Sequence, residues 1–218
     1  MHPYSIENLN EKKVLLIVFL VLAVSIFYSL LQQIGIIQFL ETFEKNLSII
    51  SPFIKWGFIS IVLTPISIFW IFYEVFNKYL WKLKLFNKII GVPNINGNYV
   101  GCLQSNYIDK ETGKQVPPIH SKLEVAQKFD KIKFCLSFPD TPSSSKSNMG
   151  GLREFDGKIA EFAFSYSNIS RDLKVESTMH DGMNILRFNL ETGEVEGEYF
   201  NNRGINPNKG VMNLRKIK

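Results

Sequence analysis

Histidine and cysteine are scarce in this chain of 218 residues, and the patterns that would put them to chemical use are missing. The three histidines, His2, His120 and His180, are scattered along the sequence. No HExxH pair, metal-spaced Cys/His set, GxSxG elbow or P-loop occurs. A zinc hydrolase, a serine esterase and a nucleoside triphosphatase therefore have no support. The two cysteines, Cys102 and Cys135, lack CxxC spacing, and a bridge between them would presume an oxidising compartment. Charge is absent from two long stretches. Val14 to Leu40, 27 residues, and Trp56 to Tyr73, 18 residues, contain no Asp, Glu, Lys or Arg.

A helix needs roughly 20 apolar residues to cross a hydrocarbon core of ~30 Å, so both runs predict membrane spans, at about 14–34 and 54–76. The first run is too long for a signal-peptide core, and Tyr28, Leu30 and Leu31 stand where a cleavage site needs small residues. Lysines set the orientation. Lys12 and Lys13 precede the first span, and Lys78, Lys82, Lys84 and Lys88 follow the second, against Lys45 and Lys55 between them. Both termini are thus expected in the cytoplasm, with Cys102 and Cys135 as free thiols. Ser25, Ser29 and Gln32 share one helical face, as do Ser60, Thr64 and Ser67 beside Pro65. Such stripes serve as packing glue between helices or face a water path in an oligomer. The segment from Glu74 to Ile90 reads as a basic, aromatic-rich continuation of the second helix, stopped by Gly91-Val92-Pro93.

The mean hydropathy of +0.01 conceals this partition. Residues 1–91, the expected helical hairpin, hold eight Lys and five Glu, while residues 92–218 hold seventeen Lys and Arg against fifteen Asp and Glu. A nearly neutral second domain is no general DNA or RNA binder, because that function needs a strongly basic face.

From Asn96 the period changes to two. Ile132, Phe134, Leu136 and Phe138 alternate with polar or small residues, and so do Phe162, Phe164 and Tyr166 and then Leu186, Phe188 and Leu190. Turn signals such as Asp156-Gly157 and Glu191-Thr192-Gly193-Glu194 separate the segments. The pattern predicts eight strands near 97–106, 119–128, 131–138, 143–155, 158–168, 182–191, 194–202 and 209–217. The fold class is therefore a membrane α-helical hairpin plus an all-β domain, 92–218, built as a small eight-stranded antiparallel meander β-barrel. A β-sandwich is the alternative.

His180-Asp181 reads as a solvated turn pair, and Glu194, Glu196 and Glu198 as the solvent face of one strand. Binding has better candidates than catalysis. Tyr166 and Asn168 continue the inward face of Phe162 and Phe164. Asn201 and Arg203 continue the face of Val195, Gly197 and Tyr199, and Tyr107 continues that of Leu103 and Ser105. Aromatic rings stack on bases, and Arg grips phosphate through two N–H groups. A nucleotide suits that set better than a fatty acid, although a tethered lipocalin-like carrier of an apolar ligand and a filled structural barrel remain alternatives. No cofactor or metal is expected.

Three further features resemble one bacterial family. The two spans are followed by Pro93, Gly97, Tyr99 and Gly101 in a Pro-x-x-x-Gly-x-Tyr-x-Gly pattern, and the chain closes with Gly197 to Arg203 and then Gly210 to Leu214. Together these resemble the two-transmembrane, β-strand-rich effectors of cyclic-oligonucleotide-based antiphage signalling (CBASS). The resemblance implies a cyclic dinucleotide ligand, self-association on activation, and disruption of the inner membrane by the spans. It implies membrane lipids as partners and an abortive end to infection.

Overall fold

Alternating apolar and polar side chains build eight consecutive strands, each hydrogen-bonded to the next. The structure, a computed structural model, describes residues 1–6, 17–18, 20–26, 28–29, 65–83, 90–109, 112–140, 143–170, 180–202 and 208–217. The described strands are β1 (His2–Ile6), β2 (Gly97–Ser105), β3 (Ile119–Gln127), β4 (Lys131–Ser137), β5 (Ser143–Phe155), β6 (Ile159–Ser170), β7 (His180–Asn189), β8 (Glu194–Asn201) and β9 (Asn208–Ile217). From β2 to β9 each pairs antiparallel with its successor, and β9 pairs back to β2, with Tyr99 opposite Lys216 and Ser105 opposite Gly210. The sheet thus closes into a barrel and leaves no free edge, as a sandwich would. The alternation holds along β4, where Ile132, Phe134 and Leu136 are buried and the residues between them are partly exposed.

The structure adds a ninth strand to the eight expected. Among the described residues β4 and β5 pair directly at Cys135 to Ser137 alone. A register shift at Ser147/Met149 re-aims β5, and β1 fills the wall beyond it. His2 and Pro3 face Ile132 and Lys131 antiparallel, while Tyr4, Ser5 and Ile6 run parallel to Gly150, Gly151 and Leu152. His2 lies within this wall, its Nε2 2.8 Å from Ser147 Oγ. Five residues with one large inward side chain carry too little periodicity to be read as a strand. Residues 1–9 and 82–218 accordingly form one compact unit, so the first residues join the barrel rather than the hairpin expected over 1–91.

The core is aromatic. Phe134 and Phe164 stack with centroids 3.9 Å apart, and Phe188 meets Phe162 and Tyr99 edge-on at 5.9 and 5.4 Å. Such pairs contribute about 0.5–1.5 kcal/mol each beyond the area they bury. Gln127, 3 % exposed, ties the incoming chain to one end of the barrel. Its Oε1 accepts from Ile95 N at 3.0 Å, and its Nε2 donates to Pro93 O at 3.0 Å and to Tyr4 Oη at 3.2 Å.

In the second unit, residues 10–81, Pro65–Lys78 form a helix, α1; a 3-10 turn at Leu80–Lys82 follows it in the chain. Glu74 and Lys78 pair across one turn of α1 at 3.1 Å. No helix of the described residues is long and apolar enough to cross a membrane. Much of the spans expected at 14–34 and 54–76 lies outside the described residues.

Candidate ligand site at the polar end of the barrel

The two ends of the barrel differ in their connections and in their chemistry. At one end short turns join β3 to β4, β5 to β6 and β7 to β8. There Asp156 accepts from the amides of Lys158 and Ile159, which closes the second of these turns and holds the Asp156 carboxyl below the ordinary carboxylate range. At the other end β2, β4, β6 and β8 stop and β3, β5, β7 and β9 begin, separated by longer stretches of sequence. Long loops over one end of a rigid scaffold are where binding sites concentrate.

The interior at that end of the barrel is polar. Ser105, Ser145, Asn168 and Asn184 are all buried, and Ser105, Asn168 and Asn184 are in phase with the core aromatics of their own strands. Tyr166 and Tyr199, each 6 % exposed, join them. An interior of Phe, Leu and Ile only, which an apolar carrier requires, is therefore not what the strands build. Asn168 Nδ2 donates to Ser145 Oγ at 3.1 Å, and its Oδ1 accepts from Ser143 Oγ at 2.9 Å. Tyr166 shares a side-chain hydrogen bond with Asn201, and Tyr199 shares one with Ser105.

Two glycines make room for the phenol rings. A Cβ at Gly182 would lie 2.5 Å from Tyr166 Cζ, and one at Gly210 would lie 2.5 Å from Tyr199 Cε1. Both rings therefore occupy space that any other residue type would fill. Burial pushes the Tyr166 phenol from 10.0 up to about 12 and raises that of Tyr199 as well. Both stay neutral near pH 7, able to donate a hydrogen bond and to present a ring face. No charged side chain among the described residues belongs to this buried cluster.

Four of the six residues singled out from the sequence thus come together: Tyr166, Asn168, Tyr199 and Asn201. Tyr107 does not. β2 stops at Ser105, whose Oγ accepts from Tyr107 N at 3.1 Å, and the Tyr107 side chain is 40 % exposed. Phase alone predicted it inward, but the chain leaves the sheet two residues earlier. Arg203 lies outside the described residues. His180 and Asp181 open β7 instead of forming a turn. Ser145 and Asn184 went unremarked in the sequence, although Asn184 is legible there, two and four residues before Leu186 and Phe188. Glu194, Glu196 and Glu198 are solvent-exposed, as their strand phase predicts. Cys102 and Cys135 are free thiols on β2 and β4.

The outer wall offers a poor site for an anion. A shallow groove there, of about 540 Å³, is lined by Glu161, Glu196 and Glu198 with Arg187 as the one cation. Glu161 also bridges Arg153 Nη1 at 2.8 Å and Arg187 Nε at 2.7 Å, so its arginines are already engaged. Among the described residues no set of three His, Cys, Asp or Glu is placed to hold a metal ion.

Comparison with known proteins matches residues 90–216 to a family described as Cap15, cyclic dinucleotide receptor domain. That span takes in β2 to β9 and leaves out β1. The chain is also similar to a Yersinia aleksiciae protein described as CD-NTase-associated protein 15, with 25% identity over 147 residues. The alignment covers 66% of this chain and 65% of that protein, so the chain spans just under two thirds of the curated relative it matches.

Proposed function

The chain belongs to the Cap15 cyclic dinucleotide receptor domain family, and from that premise we propose that it is a non-catalytic receptor and effector of CBASS antiphage defence. Its barrel takes a cyclic dinucleotide through the polar end. The observation that carries this reading is the neutral Tyr, Asn and Ser cluster buried at one end of the barrel. Tyr166 and Tyr199 supply ring faces against bases, and Arg203 meets a phosphate. The phosphates need such a cation, because the buried cluster offers none.

The output is in the membrane. The spans at 14–34 and 54–76 anchor the chain in the inner membrane with the barrel in the cytoplasm. Ligand binding favours self-association of the barrel, which concentrates the hairpins until the membrane fails and infection aborts. Ligand shifts that equilibrium only through its differential affinity for the two states. Moving the population from 1:99 to 99:1 takes a ratio of about 10⁴, or about 5.5 kcal/mol. The charge-free runs, the positive-inside lysines and the polar stripes on both spans support this output.

The test is a thermal-shift screen of the full chain in detergent micelles against cyclic di- and trinucleotides, with Arg203→Ala beside it. The expected result is stabilisation of the native protein by at least one cyclic dinucleotide, lost in the variant. Stabilisation by fatty acids and by none of the nucleotides would end this reading. An undiminished shift in the variant would remove Arg203 alone.

A further inference from the structure

Among the described residues of the polar end, Asn184 alone has a buried side-chain atom with an unmet hydrogen bond. Its side chain is 2 % exposed, and its Oδ1 has no hydrogen-bond partner. It sits on β7 directly opposite Tyr199 on β8 and Phe164 on β6. It therefore marks the level at which the aromatic core gives way to the polar lining. A buried acceptor left unpaired destabilises the fold, and an apolar side chain of similar shape would be more stable there. The barrel thus holds a buried hydrogen-bond acceptor open to an incoming donor.

The chemistry of that level selects which part of a ligand reaches it. A phosphate at neutral pH carries acceptor oxygens and negative charge. It would meet a carbonyl oxygen head-on in a neutral lining, with no described cation to offset its desolvation. A nucleobase is neutral, presents N–H groups on its edge and fits between ring faces. We propose that Asn184 is the base-reading residue of the barrel: its Oδ1 accepts a hydrogen bond from a base N–H, with the base directed inward and the phosphates toward the loops. This rests on the receptor reading above and adds the orientation of the ligand and the residue that recognises its base.

The test pairs a substitution with a ligand change, using the full chain in detergent micelles and isothermal titration calorimetry. The probes are cyclic di-AMP with its N6,N6-dimethyl analogue, cyclic di-UMP with its N3-methyl analogue, and cyclic di-GMP with its N1,N2,N2-trimethyl analogue, each of which removes every base N–H. For a parent that binds, methylation is expected to weaken binding to the native protein by at least about tenfold. Asn184→Leu is expected to bind that parent about tenfold more weakly, to lose the distinction between parent and analogue, and to melt at a higher temperature without ligand. Equal binding of parent and analogue by the native protein overturns the proposal. So does full parent affinity in Asn184→Leu, or a methylation penalty that persists in the variant and is therefore steric. If the variant does not fold, the analogue pairs on the native protein decide alone. If no parent binds the native protein, the receptor reading fails first and takes this inference with it.

Discussion

Truncating Tyr4 should weaken a barrel whose next strand begins more than ninety residues later. Tyr4 is 4 % exposed, its ring centroid is 6.3 Å from that of Phe162, and its Oη accepts from Gln127 Nε2 at 3.2 Å. Burial also raises its phenol pKa, so the group is neutral where it sits. Removing a large buried aromatic costs about 3–5 kcal/mol, since β1 cannot collapse into the void while held between β4 and β5. Tyr4→Phe keeps the ring and loses one hydrogen bond, which costs about 1 kcal/mol. The smaller figure applies because Gln127 retains its bonds to Pro93 and Ile95. For a unit of this size each kcal/mol moves Tm by roughly 3–5 °C. Differential scanning fluorimetry of the full chain in micelles should therefore show a drop of about 9–25 °C for Tyr4→Ala and about 3–5 °C for Tyr4→Phe. A change for Tyr4→Ala within about 2 °C would show that β1 is no part of the wall, and the nine-strand description would fall.

Three further outcomes follow from the same geometry. Gly182→Ala puts a Cβ 2.5 Å from Tyr166 Cζ and against the backbone carbonyl of Phe200; a loss of about 1–3 kcal/mol in denaturant melts is expected, together with weaker ligand binding, and a neutral result would mean that both the ring and the β8 backbone are free to move aside. Tyr166 has a folded pKa raised from 10.0 to about 12, so the stability it contributes is complete below the unfolded value and is lost as pH rises through the folded one. Tyr166→Phe should then keep more of its neutral-pH stability near pH 11 than the native protein does, checked by alkaline melts and phenolate absorbance. Glu161→Gln breaks a carboxylate shared by Arg153 and Arg187; because both arginines are more than half exposed, the expected cost is only about 1 kcal/mol, vanishing near 1 M salt. A loss that salt does not reduce would point to packing as the cause.

The strands of the barrel were legible because a half-buried strand writes its environment into every second residue. Phe162, Phe164, Tyr166 and Asn168 are inward along β6 as their phase predicts. Tyr107 shows the limit of that reading: period two persists in the sequence after the strand has ended, and only the bond from Tyr107 N to Ser105 Oγ shows where the chain turns away. Asn184 was legible by phase but not by role, since an unpaired acceptor is defined by what surrounds it. Nothing in His2–Ile6 announces a strand, because its partners lie on β4 and β5, more than 120 residues away.

By itself, then, the sequence determined two charge-free runs of membrane length, eight strands in meander order and the inward phase of Tyr166, Asn168, Tyr199 and Asn201. These are local patterns, written by solvent on one face and core on the other. Tertiary structure alone decided that β1 completes the wall, that Gly182 and Gly210 leave space for two phenol rings, and that Asn184 is buried without a partner. Each of those depends on which surfaces meet when a sheet closes on itself, and closure joins residues that no periodicity relates.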